Sequence, residues 1–284
     1  MNVLTITNLT FREAWRKKLF WMALGLGLAF IVLFAVGFHF VLNDIEHNSR
    51  AARQGAAALN LLVNEVSGGL LIMGLFAVNV LIVMMTALTS AGAISGEIDS
   101  HTIQTIATKP VHRWEIVAGK WLGFAVMLVM YIIFMAGGLM TAVYLRSGFL
   151  PPNIVPALAL LSLEGLIVLS VTIFGGTLFS TLATGVLVFM LYGIAFVGSW
   201  VEQIGALLKS ETAVQVGIVA SLIMPSETMW RMASDLLQSP LIRRADIPLI
   251  TLYSKPSPAM AVYAVVYMGL FLAGALYRFS ARDL

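Results

Sequence analysis

The chain has 284 residues, of which 60% are hydrophobic and only 11% are charged. Soluble domains carry about 25% charged residues, so this composition predicts an integral membrane protein. The formal net charge is only +3 and the basic residues stand at the ends of apolar runs, which argues against nucleic acid as a partner. Cysteine is absent, which excludes disulfides, thiolate metal sites and cysteine nucleophiles.

Residues 1–18 are predicted to form an amphipathic helix on the cytoplasmic membrane surface. Thr10 and Glu13 have the spacing of a capping box, so the regular helix is expected to open at Thr10 and to run to Leu19. Its basic residues alternate with tryptophan, a pattern typical of helices among lipid headgroups. A solvated basic extension of the first span is the alternative. The residues assigned to this surface are Arg12, Trp15, Arg16, Lys17 and Lys18.

Six apolar runs are long enough to cross a bilayer, whose hydrocarbon core of about 30 Å requires roughly 20 helical residues. The predicted fold is therefore all-α, a single membrane domain over residues 1–284 with six transmembrane helices. Ser257 and Pro258 have the pattern of an N-cap and a first-turn proline. The spans are predicted at Leu19–Leu42, Gly68–Ile94, Val117–Leu145, Ile154–Leu182, Gly185–Leu208 and Pro258–Tyr277.

The distribution of lysine and arginine predicts the orientation of the bundle. Basic residues before the first span, between the second and third spans and after the last span fall on one side. The positive-inside rule places both termini in the cytoplasm of a multi-pass protein of the cell (inner) membrane. Residues 209–257 are then expected outside, as an extracytoplasmic helical loop between the fifth and sixth spans. That loop contains a short apolar run, Ala213–Met224, and a helix that Ser226 caps and Pro240 ends.

A charged segment, residues 95–120, separates the second and third spans. Ser100 or Thr102 can cap a short helix that Pro110 ends, and the next helix is predicted to begin near His112. A short helix with a small apolar face and a charged rim, held between two spans, suits docking to a partner protein. A connecting loop with solvated charges is the alternative. The residues assigned to docking are Glu97, Asp99, Thr102, Ile103, Ile106, Lys109, Pro110, Arg113 and Lys120.

The same segment resembles the signature of permease subunits of ABC-2 transporters, in which a glutamate, a threonine, an apolar pair, a proline, an arginine and a lysine follow the second span. The similarity extends to MPSETMWRMASDLL before the last span and to the ending FSARDL, and the chain resembles the NosY-like branch in particular. His101 departs from the signature, since glycine is usual there. The matching residues are Glu97, Thr102, Ile103, Ile106, Pro110, Arg113 and Lys120.

The resemblance implies that residues 95–120 form a coupling helix, which docks on a separate ABC ATP-binding subunit. The sequence has no G-x-x-x-x-G-K-[ST], so ATP and magnesium are expected on that partner, and this chain is expected to hold no cofactor and no catalytic residue. The family further implies two ATPase copies, a second permease copy in a homodimer or pseudo-dimer, and a translocation path between the two permeases. Export is the expected direction, and an extracytoplasmic accessory protein is a further expected partner.

Glu164 lies in the middle of the fourth predicted span. An ionised carboxylate at the bilayer centre costs about 2.5 kcal/mol or more, so we assign Glu164, with Asn79 of the second span, to the translocation path. A hydrogen bond to serine or threonine on a neighbouring helix and a neutral, protonated acid are the structural alternatives. The fifteen methionines have no accompanying cluster at ligand spacing, so no metal site is predicted.

Two other functions compete with an ATP-driven permease subunit. The first is a secondary transporter with an ion or proton site at Glu164, but such transporters usually show internal repeats and the sequence shows no convincing repeat. The second is an intramembrane enzyme. The zinc-protease motif H-E-x-x-H is missing, and a paired-acid protease needs two acids at depth where the sequence indicates one. The sequence therefore favours the permease, which is not itself an enzyme.

Overall fold

The computed structural model describes residues 3–16, 18–51, 56–96, 112–238 and 254–281. These residues form α-helices and contain no strand, and six of the helices (α2 to α6 and α9) are long and apolar enough to cross a membrane. The predicted all-α fold with six spans is confirmed. The helices are α1 (Val3–Arg16), α2 (Lys18–Ala51), α3 (Ala56–Ser90), α4 (Arg113–Ser147), α5 (Ile154–Leu178), α6 (Thr181–Leu207), α7 (Glu211–Ile223), α8 (Ser226–Leu237) and α9 (Ala259–Ser280).

The observed helices differ from the predicted spans chiefly at their ends. α5 ends at Leu178 because the two residues after it take extended backbone, so Leu182, predicted to end the fourth span, lies in the first turn of α6. α2 runs past its apolar sequence to Ala51, and α3 already includes Ala56. The 34 residues of α2 make a helix about 51 Å long, which exceeds the roughly 30 Å of a hydrocarbon core.

The spanning helices alternate in direction, which gives the bundle two ends. We call them the α1 end, where α3 stops and α4 starts, and the α8 end, where α2 and α4 stop and α5 starts. At the α8 end, Arg146 in the last turn of α4 donates to Asn43 Oδ1 (2.7 Å) and to Glu46 Oε1 (3.0 Å) of α2. Between the two ends α3, α4 and α5 supply most of the buried apolar side chains, whereas α2 and α9 expose much of their apolar surface.

α1 packs against the first turns of α4 through two glycines. A Cβ atom added at Gly119 would lie 2.6 Å from the Cβ of Ile6, and one added at Gly123 would lie 2.9 Å from the Cβ of Thr10. These distances are shorter than real carbon contacts, so glycine is required for the close approach. The predicted capping role of Thr10 is wrong. α1 already includes Val3, and Thr10 lies inside it, buried against α4.

Aromatic rings pack around the junction between α1 and α2. The ring centroid of Trp15 lies 5.2 Å from that of Phe20 and 5.4 Å from that of Trp21, and Trp21 Nε1 donates to the Trp15 carbonyl (2.9 Å). α2 then follows α4 in the same direction, since Tyr131 of α4 donates to the Ala23 carbonyl (3.4 Å). Lys17 lies outside the described residues. The other residues assigned to the membrane surface, Arg12, Trp15, Arg16 and Lys18, are exposed.

α7 and α8 form a helical hairpin that enters the bundle from the α8 end, and we call it the α7–α8 hairpin. α7 runs back along α6, so that Ala213 packs on Gly205 and Ala220 on Gly198. Tyr267 of α9 donates to the Ile223 carbonyl in the last turn of α7 (2.8 Å). The predicted apolar helix in the loop between the fifth and sixth spans is confirmed, and it is re-entrant with respect to the bundle.

α8 returns along α5. Met229 lies in one apolar cluster with Ile167, and Asn153 just before α5 donates from Nδ2 to the Leu236 carbonyl (3.4 Å). Ile167 lies about 20 Å along α5 from its first residue, at 1.5 Å per residue. The tip of the hairpin, Met224 and Pro225, therefore reaches about the middle of the bundle.

The two predicted serine caps have different outcomes. Pro225, not Ser226, occupies the N-cap position of α8, and the Ser226 hydroxyl is buried without a hydrogen-bond partner. At α9, the Ser257 hydroxyl accepts from the Ala259 backbone N–H (3.3 Å), as predicted, although Pro258 occupies the N-cap position. α8 ends at Leu237, and its predicted stop, Pro240, lies outside the described residues.

Candidate functional site

Two of the nine residues assigned to docking belong to the part of the chain that the structure describes. Arg113 is the first residue of α4 and is half-buried, and Lys120 is buried two turns later. α4 begins where the sequence predicted it, and the Glu115 carboxylate accepts from the His112 backbone N–H (3.3 Å). The other seven residues lie outside the described residues, and their docking role stays a prediction: Glu97, Asp99, Thr102, Ile103, Ile106, Lys109 and Pro110.

Lys120 links the chain that follows residues 97–111 to the chain that precedes them. Its side chain is 5% exposed, and Nζ donates to the Ala93 carbonyl at 2.5 Å. Ala93 follows the last residue of α3, where carbonyl groups lose their helical partners and the helix dipole favours a cation. The lysine therefore holds the start of α4 against the end of α3.

The end of α3 is also fixed to the turn between α5 and α6. The hydroxyls of Ser95 and Thr181 lie 2.8 Å apart, and the Ser95 hydroxyl also donates to the Ala91 carbonyl (3.0 Å). On the α4 side, Trp121 donates from Nε1 to the Ser170 hydroxyl of α5 (2.9 Å). Ser95 and Lys120, which lie before and after the undescribed residues 97–111, are thus both bonded to other parts of the bundle.

A second group of polar side chains meets in the middle of the bundle. Asn79 of α3 and Glu164 of α5 are both completely buried, and Asn79 Nδ2 donates to Glu164 Oε1 at 3.0 Å. The two residues assigned to the translocation path are therefore brought together. A path role for them stays a prediction, and the hydrogen bond that Glu164 makes between helices is to asparagine rather than to the expected serine or threonine.

Glu227 lies beside Glu164, in the first turn of α8. It is 4% exposed, and Tyr192 of α6 donates to its Oε2 (3.4 Å). Burial raises the pKa of Glu227 from its ordinary value of 4.5 to about 8, against the opposing effects of Arg231 and of the tyrosine hydrogen bond. The expectation of a single acid at depth is wrong, because the α7–α8 hairpin carries Glu227 into the bundle.

Arg231 and Glu202 form a buried ion pair that joins α8 to α6. Arg231 Nη1 lies 2.9 Å from Glu202 Oε1, and Nη2 donates to Oε2 at 2.9 Å. Ser254 adds a hydroxyl hydrogen bond to Oε1 at 2.5 Å. Removing one partner of such a pair leaves an uncompensated buried charge, which costs about 3–5 kcal/mol. The pair therefore fixes the hairpin within the bundle.

The sequence offered one signal for this second acid. Glu227 and Arg231 are four residues apart and so share one face of α8, beside apolar residues such as Trp230 and Ala233. A 12-residue helix in a loop is too short to span, and length alone does not reveal that it folds back into the bundle.

The described residues thus comprise six candidate spans and a helical hairpin inserted between them from one end. A family model described as ABC-2 family transporter protein matches residues 4–284. The chain belongs to the ABC-2 transporter family. The match runs from α1 to the end of the chain, so it confirms the family resemblance found in the sequence. An ABC-2 family protein with six such helices is a multi-pass membrane protein and the permease component of a transporter. No curated protein shows a significant match to the chain.

Proposed function

We propose that this ABC-2 permease couples transport, in the export direction, to ATP hydrolysis on a separate ABC ATPase that docks on the loop of residues 95–120. The observation that supports the proposal is that Ser95 and Lys120, at the two limits of this loop, are both bonded to the helical bundle. A helix held at both ends transmits a rigid-body movement of its partner, whereas a loop with free ends would absorb it.

The residues assigned to docking have different roles in this proposal. Ile103 and Ile106 are the apolar contacts that enter a cleft on the ATPase, and the charged residues around them set the register. Pro110 separates the docking helix from α4. Two ATPase copies bind ATP and magnesium, one beneath each permease copy, and this chain itself binds neither.

The second permease copy is part of the same proposal. A groove of about 530 Å³ opens on the outer face of α3 and α6, close to the start of segment 97–111. We place a second copy of this chain against it, with the translocation path between the two copies. The groove is lined by Leu88, Ala91, Thr181, Leu182, Gly185, Val186, Phe189 and Met190.

The proposed orientation follows the positive-inside rule, with both termini and the α1 end on the cytoplasmic side of the cell (inner) membrane. The α7–α8 hairpin then enters from the outside, where an accessory protein can reach residues 209–257. A cysteine introduced at Leu150, which is 61% exposed at the α8 end, should react with an impermeant thiol reagent from the outside only. Assignment to the NosY-like branch rests on the sequence resemblance and is proposed on that basis alone.

Secondary transport is a second candidate function, because Glu227 provides a second buried acid beside Glu164. It predicts transport by the reconstituted chain alone, driven by an ion gradient. The permease proposal predicts no transport until the ATPase and ATP are added.

The docking proposal is tested by co-purification with the candidate ATPase. Replacing Ile103 and Ile106 together by aspartate should abolish co-purification and leave membrane insertion intact, because two charges cannot enter an apolar cleft. Leu150→Asp, at the opposite end of the bundle, is the matched control and should retain the ATPase. Equal recovery of the ATPase with the double variant would contradict docking at this helix.

A further inference from the structure

Asn79 and Glu164 share one hydrogen bond, yet each keeps an unpartnered oxygen. Asn79 Oδ1 and Glu164 Oε2 have no hydrogen-bond partner, although both side chains are completely buried. A buried polar atom without a partner is costly, and a buried ionised carboxylate is costlier still. The site as it stands is therefore one donor short.

A single proton supplies that donor. With a proton on Oε2, Glu164 gains an O–H group, and Asn79 Oδ1 is the buried acceptor on the side chain already bonded to it. A carboxylic acid and a carboxamide can then pair through two hydrogen bonds, N–H to Oε1 and O–H to Oδ1. Protonation satisfies both unpartnered atoms and removes the buried charge.

The charges around Glu164 also favour its protonated form. Glu227 of α8 repels Glu164, and Arg231, the cation that offsets Glu227, is bound to Glu202. Two close buried acids do not both ionise in a medium of low dielectric constant. Two other ionisable groups nearby are engaged elsewhere: Tyr267 of α9 is bonded to the Ile223 carbonyl, and Asp235 of α8 lies 3.2 Å from Lys255. The polar and ionisable groups around Glu164 are Asn79 from α3, Tyr192 and Glu202 from α6, and Glu227 and Arg231 from α8.

We propose that Glu164 and Glu227 form a proton-binding site at the tip of the α7–α8 hairpin, with the proton on Glu164 Oε2 and Asn79 Oδ1 as its acceptor. Glu227 lies in the first turn of α8, where the helix dipole and the Tyr192 hydroxyl favour negative charge, so it is the acid that releases its proton first.

The site links the position of the hairpin to protonation. Glu164 belongs to α5 and Glu227 to α8, so complete deprotonation leaves two carboxylates facing each other across the α5–α8 contact. Their repulsion favours a state in which the hairpin has moved away from α5, because a ligand shifts an equilibrium toward the state that binds it better.

Infrared spectroscopy of the full chain in lipid nanodiscs, in H₂O and D₂O, tests the site without any ATPase, so its outcome is independent of the docking proposal. At neutral pH we expect a C=O band from buried protonated carboxyl groups, and we expect Glu164→Gln to reduce it to the contribution of Glu227. That variant keeps the pairing with Asn79 and should remain folded. The exposed acid Glu211 of α7 gives the control Glu211→Gln, which should keep the band. A wild-type chain without the band, or an unchanged band in Glu164→Gln, would overturn the proposal.

A distance measurement tests the link to the hairpin. Spin labels on cysteines at Val155 of α5 and Val216 of α7, both exposed, should show a distance that changes at high pH, when both acids are deprotonated, and Glu227→Gln should abolish the change. The cysteine-free chain makes the labelling specific. A distance that is constant with pH, or one that responds at fixed pH to sodium chloride but not to choline chloride, would refute a proton as the ligand.

Discussion

Lys120 places an ammonium group on a carbonyl just beyond the end of α3. The bond is buried and charge-assisted, and such hydrogen bonds contribute about 1.5–3 kcal/mol. Lys120→Met keeps the apolar stem but leaves the Ala93 carbonyl without this donor. We expect a lower apparent Tm and a larger loss of ATPase stimulation than of membrane insertion. Lys209→Met, at an exposed position near the α8 end, is the matched control, and equal effects of the two variants would contradict the role given to Lys120.

Glu227 makes stability depend on pH. The folded chain holds its proton up to about pH 8, whereas the unfolded chain releases it near its ordinary pKa of 4.5. Between those values the native state binds more protons, so the free energy of unfolding falls as the pH rises, by up to about 1.4 kcal/mol per pH unit for one proton. Apparent Tm values measured across this range should decline for the wild type and decline less for Glu227→Gln. Parallel profiles for the two proteins would show that Glu227 titrates normally.

Single residues also show what the sequence could and could not reveal about the site. Glu164 and Asn79 stand out because a polar side chain within an apolar run is costly. Tyr192, Glu202 and Glu227 do not stand out in the sequence. They come close together only because a short helix folds back into the bundle, and no local sequence pattern predicts that tertiary contact.

Among the elements, α1 depends on two glycines of α4. Gly119→Ala would bring a Cβ within 2.6 Å of Ile6 and 3.1 Å of the Val3 carbonyl, an overpacking that costs about 1–3 kcal/mol. We expect a lower apparent Tm and faster proteolytic cleavage within α1. Gly137→Ala lies on the same helix with no atom within 4 Å, and should be neutral or gain up to about 1 kcal/mol. Equal protease resistance of the two variants would contradict the close packing of α1.

The helices themselves were predictable to the extent that their length and apolarity decide them. The six spans follow from the thickness of a bilayer, whereas their ends depend on local backbone geometry, as at the α5–α6 turn. The capping-box spacing at Thr10 misled for a physical reason: the same threonine packs against Gly123 inside the helix, and packing outweighs a local hydrogen-bond pattern.

For the whole molecule, the proposed homodimer makes a direct prediction about the groove on α3 and α6. The chain has no native cysteine, so Met190→Cys, in the groove, and Val262→Cys, exposed on α9, form a clean pair. Oxidation in membranes should give crosslinked dimers with Met190→Cys and few with Val262→Cys. Similar yields at the two positions would place the second copy elsewhere.

The proposed mechanism depends on mechanical connection between segment 97–111 and the bundle. Ser95 and Lys120, on either side of that segment, are bonded to the bundle, and the α7–α8 hairpin reaches the middle of the bundle from the opposite end. An ATPase that moves the segment therefore moves elements that also contact the buried acids. In the proposed mechanism, this connection is how a permease without a nucleotide-binding motif responds to nucleotide.

The most direct measurement is the ATP hydrolysis rate of a candidate ABC ATPase, with the permease reconstituted in lipid and without it. We predict that the wild-type chain changes that rate several-fold and that the chain with Ile103→Asp and Ile106→Asp leaves it unchanged. The same rate with either chain, or movement of cargo by the purified chain in the absence of any ATPase, would contradict the account.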